Sequence, residues 1–404
     1  MKSVRVPNLM RNVLIALLFF AVASPAHAAS FEVSGWVPYW RAASSTERAS
    51  DRLHHLTEIN PFVYSVRSDG SIIEYTDTTK EPWASLISEA RRSKVRVVPT
   101  IMWNDAPAMH RILSDPVERA ALIADIEARV REKGYDGIDV DFENKWYETR
   151  DHFSAFLKEL QARFPKKWVM CTIEPRTPLS SRYSGEPPPD AGKYANDYRV
   201  IGKYCDRVRI MAYDQGTVDV VLTSAEPTTP YVPVADVRWV EKVVREALPF
   251  VPKHKLMIGV PTYGYEFSVT PRADGGFDYT RLWSLNQGYA YELIREYAPH
   301  VRRNVAGELS FTYIPKSRDA SPRALSVNPV QQTSIAFGAV QPSSVSQARS
   351  VAIQETFNIV WWSDARALQD KVALAKKYGL RGISIFKIDG GEDPAVWDIL
   401  PKLR

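Results

Sequence analysis

The chain has 404 residues, of which 25% are charged and 11% aromatic, with a formal net charge of +5. Losing a basic leader with Lys2, Arg5 and Arg11 would leave about +2, which argues against nucleic acid as a partner. The remaining length suits one large α/β domain or two smaller ones.

Residues 1–28 read as an export signal. A basic front precedes an apolar stretch at 13–23 that is too short to span a bilayer, and Ala26-His27-Ala28 is a small-residue cleavage site. The mature protein is expected to start at Ala29 and to be secreted or periplasmic. No cysteine sits near the cut to carry a lipid. No later stretch is apolar enough for a membrane span.

Short β-rich apolar runs follow at 32–37, 59–66, 95–102, 137–142, 168–173, 208–213, 256–262 and 382–387. Amphipathic helices lie between them. Residues 117–130 put Leu122, Ile126 and Val130 on one stripe, and 152–164 do the same with Phe153, Phe156, Leu157, Leu160 and Phe164. Residues 365–378 follow a Ser363-Asp364 cap and stop at Gly379. Eight alternating β/α units predict a parallel (β/α)₈ TIM barrel of the α/β class. A doubly wound open sheet would suit fewer strands. The connection after the seventh run is several times an ordinary crossover. It predicts a small α+β insertion over 265–360, with strands at 309–314 and 357–362, a helix near 289–297, and a Gln/Ser/Pro-rich mobile loop at 328–350.

Cys171 lies late in the fifth run, and Cys205 lies before the sixth begins. If these are parallel strands, the two are staggered by about five residues, ~16 Å. That exceeds the ~7 Å between Cα atoms that a disulfide tolerates. Two free buried thiols are expected.

The fourth run carries the chemistry. In Gly137-Ile138-Asp139-Val140-Asp141-Phe142-Glu143, alternation places Ile138, Val140 and Phe142 on one face and Asp139, Asp141 and Glu143 on the other. Carboxyls this close cannot all ionise, so at least one keeps its proton near neutral pH, as a general acid requires. Barrel sites form at the C-terminal strand ends. That rule adds Trp40, Tyr64, Trp103, Met211, Tyr213, Asp214 and Tyr263 to the rim. Aromatic faces suit sugar rings, and carboxyls suit sugar hydroxyls and glycosidic oxygens. Glu174 either reaches the cleft, by alternation with Thr172, or pairs with Arg176 at the surface. Arg209 is either an inward counter-ion to the deep carboxylates or a snorkelling residue facing the helices.

Plainer readings fail on spacing. Counted from Asp139 as a calcium loop, position six is Asn144 and position twelve is Arg150, where Gly and Glu are needed. The seven histidines show no metal spacing, and no G-x-S-x-G elbow is present. Neither a metal nor a cofactor is called for.

The motif Asp136-Gly-Ile-Asp139-Val-Asp141-Phe-Glu143 resembles the D-G-x-D-x-D-x-E signature of glycoside hydrolase family 18. Met211-Ala-Tyr213-Asp214 and Gly259-Val-Pro-Thr-Tyr263-Gly264 resemble its sixth- and seventh-strand motifs, and the long connection resembles its insertion domain. Within the family, Ser34-Gly-Trp36-Val-Pro-Tyr39-Trp40, Asn60-Pro61-Phe62, Phe142-Glu143-Asn144 and Glu392-Asp393-Pro394 look closest to the spore-germination branch, which acts on peptidoglycan. The resemblance implies substrate-assisted, retaining hydrolysis at N-acetylglucosamine units, an exception to the two-carboxylate scheme. Glu143 would protonate the glycosidic oxygen. Asp141 would orient the 2-acetamido N–H, and Asp139 would share a proton with Asp141. Tyr213 would donate to the acetamido oxygen, and Asp214 would support the distorted sugar. Three positions depart from the family pattern. Phe386 stands where a cleft-floor tryptophan is usual, Glu174 stands at a small or apolar position, and 99–103 lacks the usual Gly-rich run.

The expected partner is an N-acetylglucosamine polysaccharide, and the expected state is a monomer. A chitinase-like lectin without turnover is the alternative, opposed by the intact acid. A non-enzymatic wall scaffold is disfavoured because no separate wall-binding module is visible.

Overall fold

The computed structural model describes residues 31–316 and 355–402. The leader, its cleavage site and the loop at 328–350 lie outside the described residues.

Eight parallel strands close into a barrel. In chain order they are Glu32–Pro38, Glu58–Val66, Thr100–Trp103 (preceded by Arg96–Val97), Gly137–Phe142, Trp168–Ile173, Arg207–Ile210, Leu256–Pro261 and Gly382–Phe386. Each pairs with the next, and the first pairs with both the second and the eighth, which closes the ring. The (β/α)₈ expectation holds, with two strands altered. Pro99, which has no N–H to donate, falls at the break in the third strand. The sixth stops at Ile210, so Met211 to Asp214 lie in the turn that leaves the sheet.

The helices form where the stripes placed them. Asp115 caps Pro116–Glu132 by accepting from the Val117 and Glu118 N–H groups at 2.7 and 3.2 Å. Asp364 caps Ala365–Tyr378, and Gly379 ends it at φ +63°, a left-handed position where glycine has no Cβ to strain. Among the described residues no helix is long and apolar enough to cross a membrane.

Between the seventh and eighth barrel strands, the described residues form a second sheet of five antiparallel strands in the spatial order Phe277–Leu285, Gly264–Pro271, Phe357–Trp362, Leu309–Tyr313, Arg302–Arg303. Helix Gln287–Tyr297 belongs to the same segment. Buried Glu308 ties it to the barrel, accepting from the Val234 and Ala235 N–H groups at 2.9 and 3.1 Å and from Trp361 Nε1 at 2.7 Å.

The cysteine expectation is wrong. Cys171 and Cys205 form a disulfide, with Cα atoms 5.9 Å apart. The stagger estimate treated the chain before the sixth strand as a straight extension of it. Helix Tyr198–Tyr204 instead ends at Cys205, and the Asp206 N–H donates to the Val169 carbonyl at 2.8 Å. The helix therefore delivers Cys205 beside the fifth strand, where Cys171 faces outward because its neighbour Thr172 faces in.

Candidate active site

The fourth strand alternates as read. Phe142 packs outward against Phe156 and Trp103, with ring centroids 5.3 Å from each. Asp139 and Asp141 point into the barrel and are buried. Glu143 keeps this register, because its N–H donates to the Trp103 carbonyl at 2.7 Å. Asn144 then turns the chain at φ +56°, a left-handed angle that Asn tolerates better than most residues.

The three carboxyls sit in different surroundings. Asp139 accepts from Trp36 Nε1 at 3.0 Å, Thr100 Oγ1 at 2.8 Å and Thr172 Oγ1 at 2.9 Å, and Arg209 Nη1 lies 3.1 Å away. Asp141 has a buried Oδ1 with no hydrogen-bond partner among the described residues. Burial raises its carboxyl well above the usual range, and the Glu143, Asp139 and Glu174 charges add to this. Burial, followed by Glu174, pushes Glu143 up to about 7, although Lys145 opposes. The stack thus grades from a deep acceptor to a protonated acid at the rim.

Glu174 resolves toward the site. Its Oε1 accepts from the Asn144 N–H at 2.8 Å, its Oε2 accepts from Asn196 Nδ2 at 2.6 Å, and Lys145 Nζ is 3.6 Å off. It braces the turn behind Glu143. Arg176 stacks on Tyr194 and Tyr198 instead, at 3.6 and 4.1 Å.

Tyr213, Tyr263 and Phe386 form an aromatic floor. Phe386 stacks on Tyr213 at 5.5 Å and meets Tyr263 and Trp36 edge-on at 5.9 and 5.8 Å. A Cβ at Gly259 would fall 2.7 Å from the Ile210 carbonyl oxygen and 2.9 Å from the Tyr213 ring, so the seventh-strand glycine lets the sixth strand and Tyr213 pack close. Asp214 turns at φ +59° and accepts from the hydroxyls of Tyr263 at 2.5 Å and Tyr265 at 2.6 Å. Burial still raises its carboxyl above the usual range. Met211 follows inward-facing Arg209 by two residues and is half-buried. Trp40 is half-buried at the rim, edge-on to Phe62 at 5.5 Å.

Two rim expectations do not reach the cleft. The second strand bulges between Phe62 and Tyr64, which turns Tyr64 outward to a hydroxyl contact with Tyr135 at 3.1 Å. Trp103 pairs with outward Phe142, so Met102, opposite Asp141, takes the inward slot. Parity against the fourth strand accounts for Trp103, and the bulge accounts for Tyr64. Thr100 and Thr172 were not among the expected site residues, because their positions opposite Asp139 and Asp141 depend on the register of the paired strands. Tyr265 comes from the second sheet and has no local signal.

The family model for glycosyl hydrolases family 18 matches residues 35–391. The chain belongs to family 18. It is a glycosidase of that family. Family 18 relatives include the "Cortical fragment-lytic enzyme" of Bacillus anthracis, 24% identical over 85% of this chain and 67% of that protein. The "Uncharacterized glycosylase YvbX" of Bacillus subtilis is 21% identical over 96% and 95%. Two solved structures share the fold at a TM-score of 0.65. They are the Bacillus cereus spore cortex-lytic enzyme SleL, 21% identical over 92% of this chain and 74% of that one, and a Chromobacterium violaceum chitinase, 20% identical over 92% and 98%.

Proposed function

We propose that this family 18 glycosidase is an exported, retaining enzyme that cleaves β-1,4 bonds after N-acetylglucosamine units by substrate assistance. The carrying observation is the graded stack. Glu143, raised to about 7, is poised as the acid. Asp141 beside it is pushed toward its neutral form, which makes a poor nucleophile. The sugar's own 2-acetamido carbonyl then serves as the nucleophile, as the family resemblance implies, with Asp141 orienting its N–H. Tyr213 fits as donor to the acetamido oxygen, and Asp214 as support for the distorted ring. Met211, Tyr263 and Phe386 line the bound sugar, with Trp40 at the rim and Glu174 behind the acid. The segment 265–360 is read as an insertion that walls the cleft. The disulfide fits an oxidising compartment and so supports export.

The polymer is peptidoglycan or chitin, which share the acetamido sugar. The relatives named for cortex lysis favour peptidoglycan. Incubation with purified sacculi and with chitin oligomers, read by mass spectrometry, separates the two. Products with reducing-end N-acetylglucosamine from sacculi support the wall reading. Glu143→Gln should abolish turnover of a chromogenic chitobioside while sugar binding persists, and retained turnover would overturn the acid assignment.

A further inference from the structure

The barrel interior beneath the stack is filled by charge. Glu32 on the first strand is held by Arg207 at 2.7 Å, Arg96 at 2.9 Å and Arg381 at 2.5 Å. Glu58 on the second strand accepts from Arg96 Nε at 2.9 Å, Asn60 Nδ2 at 2.9 Å and Arg209 Nη2. Arg209, on the sixth strand, is fully buried and bridges upward to Asp139, with its guanidinium 5.6 Å over the Trp36 ring.

Among the described residues, every group that hydrogen-bonds to or ion-pairs with Asp139 is therefore a donor or a cation, and the Asp141 carboxyl is the like charge it faces. Trp36 approaches from the first strand, Thr100 from the third, Thr172 from the fifth and Arg209 from the sixth. The groups facing Asp141 are of the opposite kind: the carboxyls of Asp139, Glu143 and Glu174, opposed by Lys145 alone among the groups that act on it most strongly. A proton at Asp139 would have to displace a donor or weaken the ion pair with Arg209. At Asp141, whose buried Oδ1 has no hydrogen-bond partner among the described residues, it would displace none and would remove a buried like charge.

We propose that Arg209, braced by Glu58, is a positioning residue that holds Asp139 as a permanent anion and confines the stack's proton to Asp141 and Glu143. This departs from the sharing between Asp139 and Asp141 that the family resemblance implies. It rests on the stack being the site of glycoside cleavage. A fixed negative charge then lies beneath the sugar ring where positive charge develops, already oriented before substrate arrives.

Nuclear magnetic resonance of protein labelled with carboxyl-¹³C aspartate reads the proton directly, with Asp139 and Asp141 assigned by their loss in Asp139→Asn and Asp141→Asn. In the wild type, the Asp139 signal should stay at its carboxylate position on acidification until the protein unfolds, while the Asp141 signal moves. Both signals moving in one shared step would overturn the proposal whether or not the protein hydrolyses glycans. In Arg209→Met/Glu58→Gln, which removes both charges together, Asp139 should begin to titrate. The same variant should lose activity preferentially at acid pH. Its kcat should fall a further tenfold or so relative to wild type over the acid limb, with KM nearly constant. Arg209→Lys should restore part of that limb. A loss that is uniform across pH would mark Arg209 as merely structural. Absence of turnover in the wild type would sink the glycosidase reading and leave the resonance test standing.

Discussion

Glu143 shows how one side chain inherits its chemistry from neighbours several strands away. Because it must be protonated to act and its carboxyl sits at about 7, kcat/KM should fall above about pH 7. Glu174 is the largest charge pushing it up. Glu174→Gln retains an oxygen for the Asn144 N–H but removes that charge, so the basic limb should shift to lower pH. Lys145→Met should shift it the other way. Profiles of kcat/KM on a chromogenic chitobioside check both, and a limb that moves in neither variant would show that these groups do not act on Glu143. The three carboxyls were legible because strand alternation is strict. Tyr64 was not legible, because a bulge reverses parity and leaves no local sequence mark. The role of Glu174 was half legible. Its strand position could be read, but its partners Asn196 and Lys145 reach it only through the fold.

At the scale of elements, the barrel strands were readable as apolar runs because both of their faces are covered. The strands Gly264–Pro271 and Phe277–Leu285 were missed, since the second is largely exposed and carries polar residues without a clean period. The disulfide joins a strand to the end of the following helix, and its geometry depends on how that helix docks, which periodicity does not encode. It closes a loop with a sequence separation of 34 residues. The chain-entropy model gives about 3–4 kcal/mol for a loop of that size. Cys171→Ala/Cys205→Ala should therefore lower the denaturant midpoint by a corresponding amount and make it indifferent to reductant. An unchanged midpoint would mean that the unfolded chain gains little from losing the crosslink.

At the scale of the whole molecule, the ring closes over the charge cluster beneath the stack. Glu32 joins residues of the first, third, sixth and eighth strand regions through Arg96, Arg207 and Arg381, so it acts as a fastener across the barrel floor. It is 2% exposed, and burial alone would raise its carboxyl. The guanidinium groups of Arg207, Arg96 and Arg381 outweigh that and lower it from 4.5 to about 2. A folded value below the unfolded one means that the charge stabilises the protein above about pH 4.5. That contribution, about 3 kcal/mol, is lost as pH falls toward 2. Glu32→Gln keeps the shape but strips the counter-charge from Arg207 and Arg381, while Arg96 retains Glu58. The variant should lose about 3–5 kcal/mol at pH 7. The gap to wild type should narrow steadily as both are acidified below pH 4.5, because the wild type then loses the charge that the variant lacks. Urea unfolding across that range measures it. A gap that stayed constant would assign the loss to packing at the barrel floor. A narrowing gap would show that the charge chain under the catalytic carboxyls also holds the barrel shut, which ties acid stability to the foundation on which Asp139 rests.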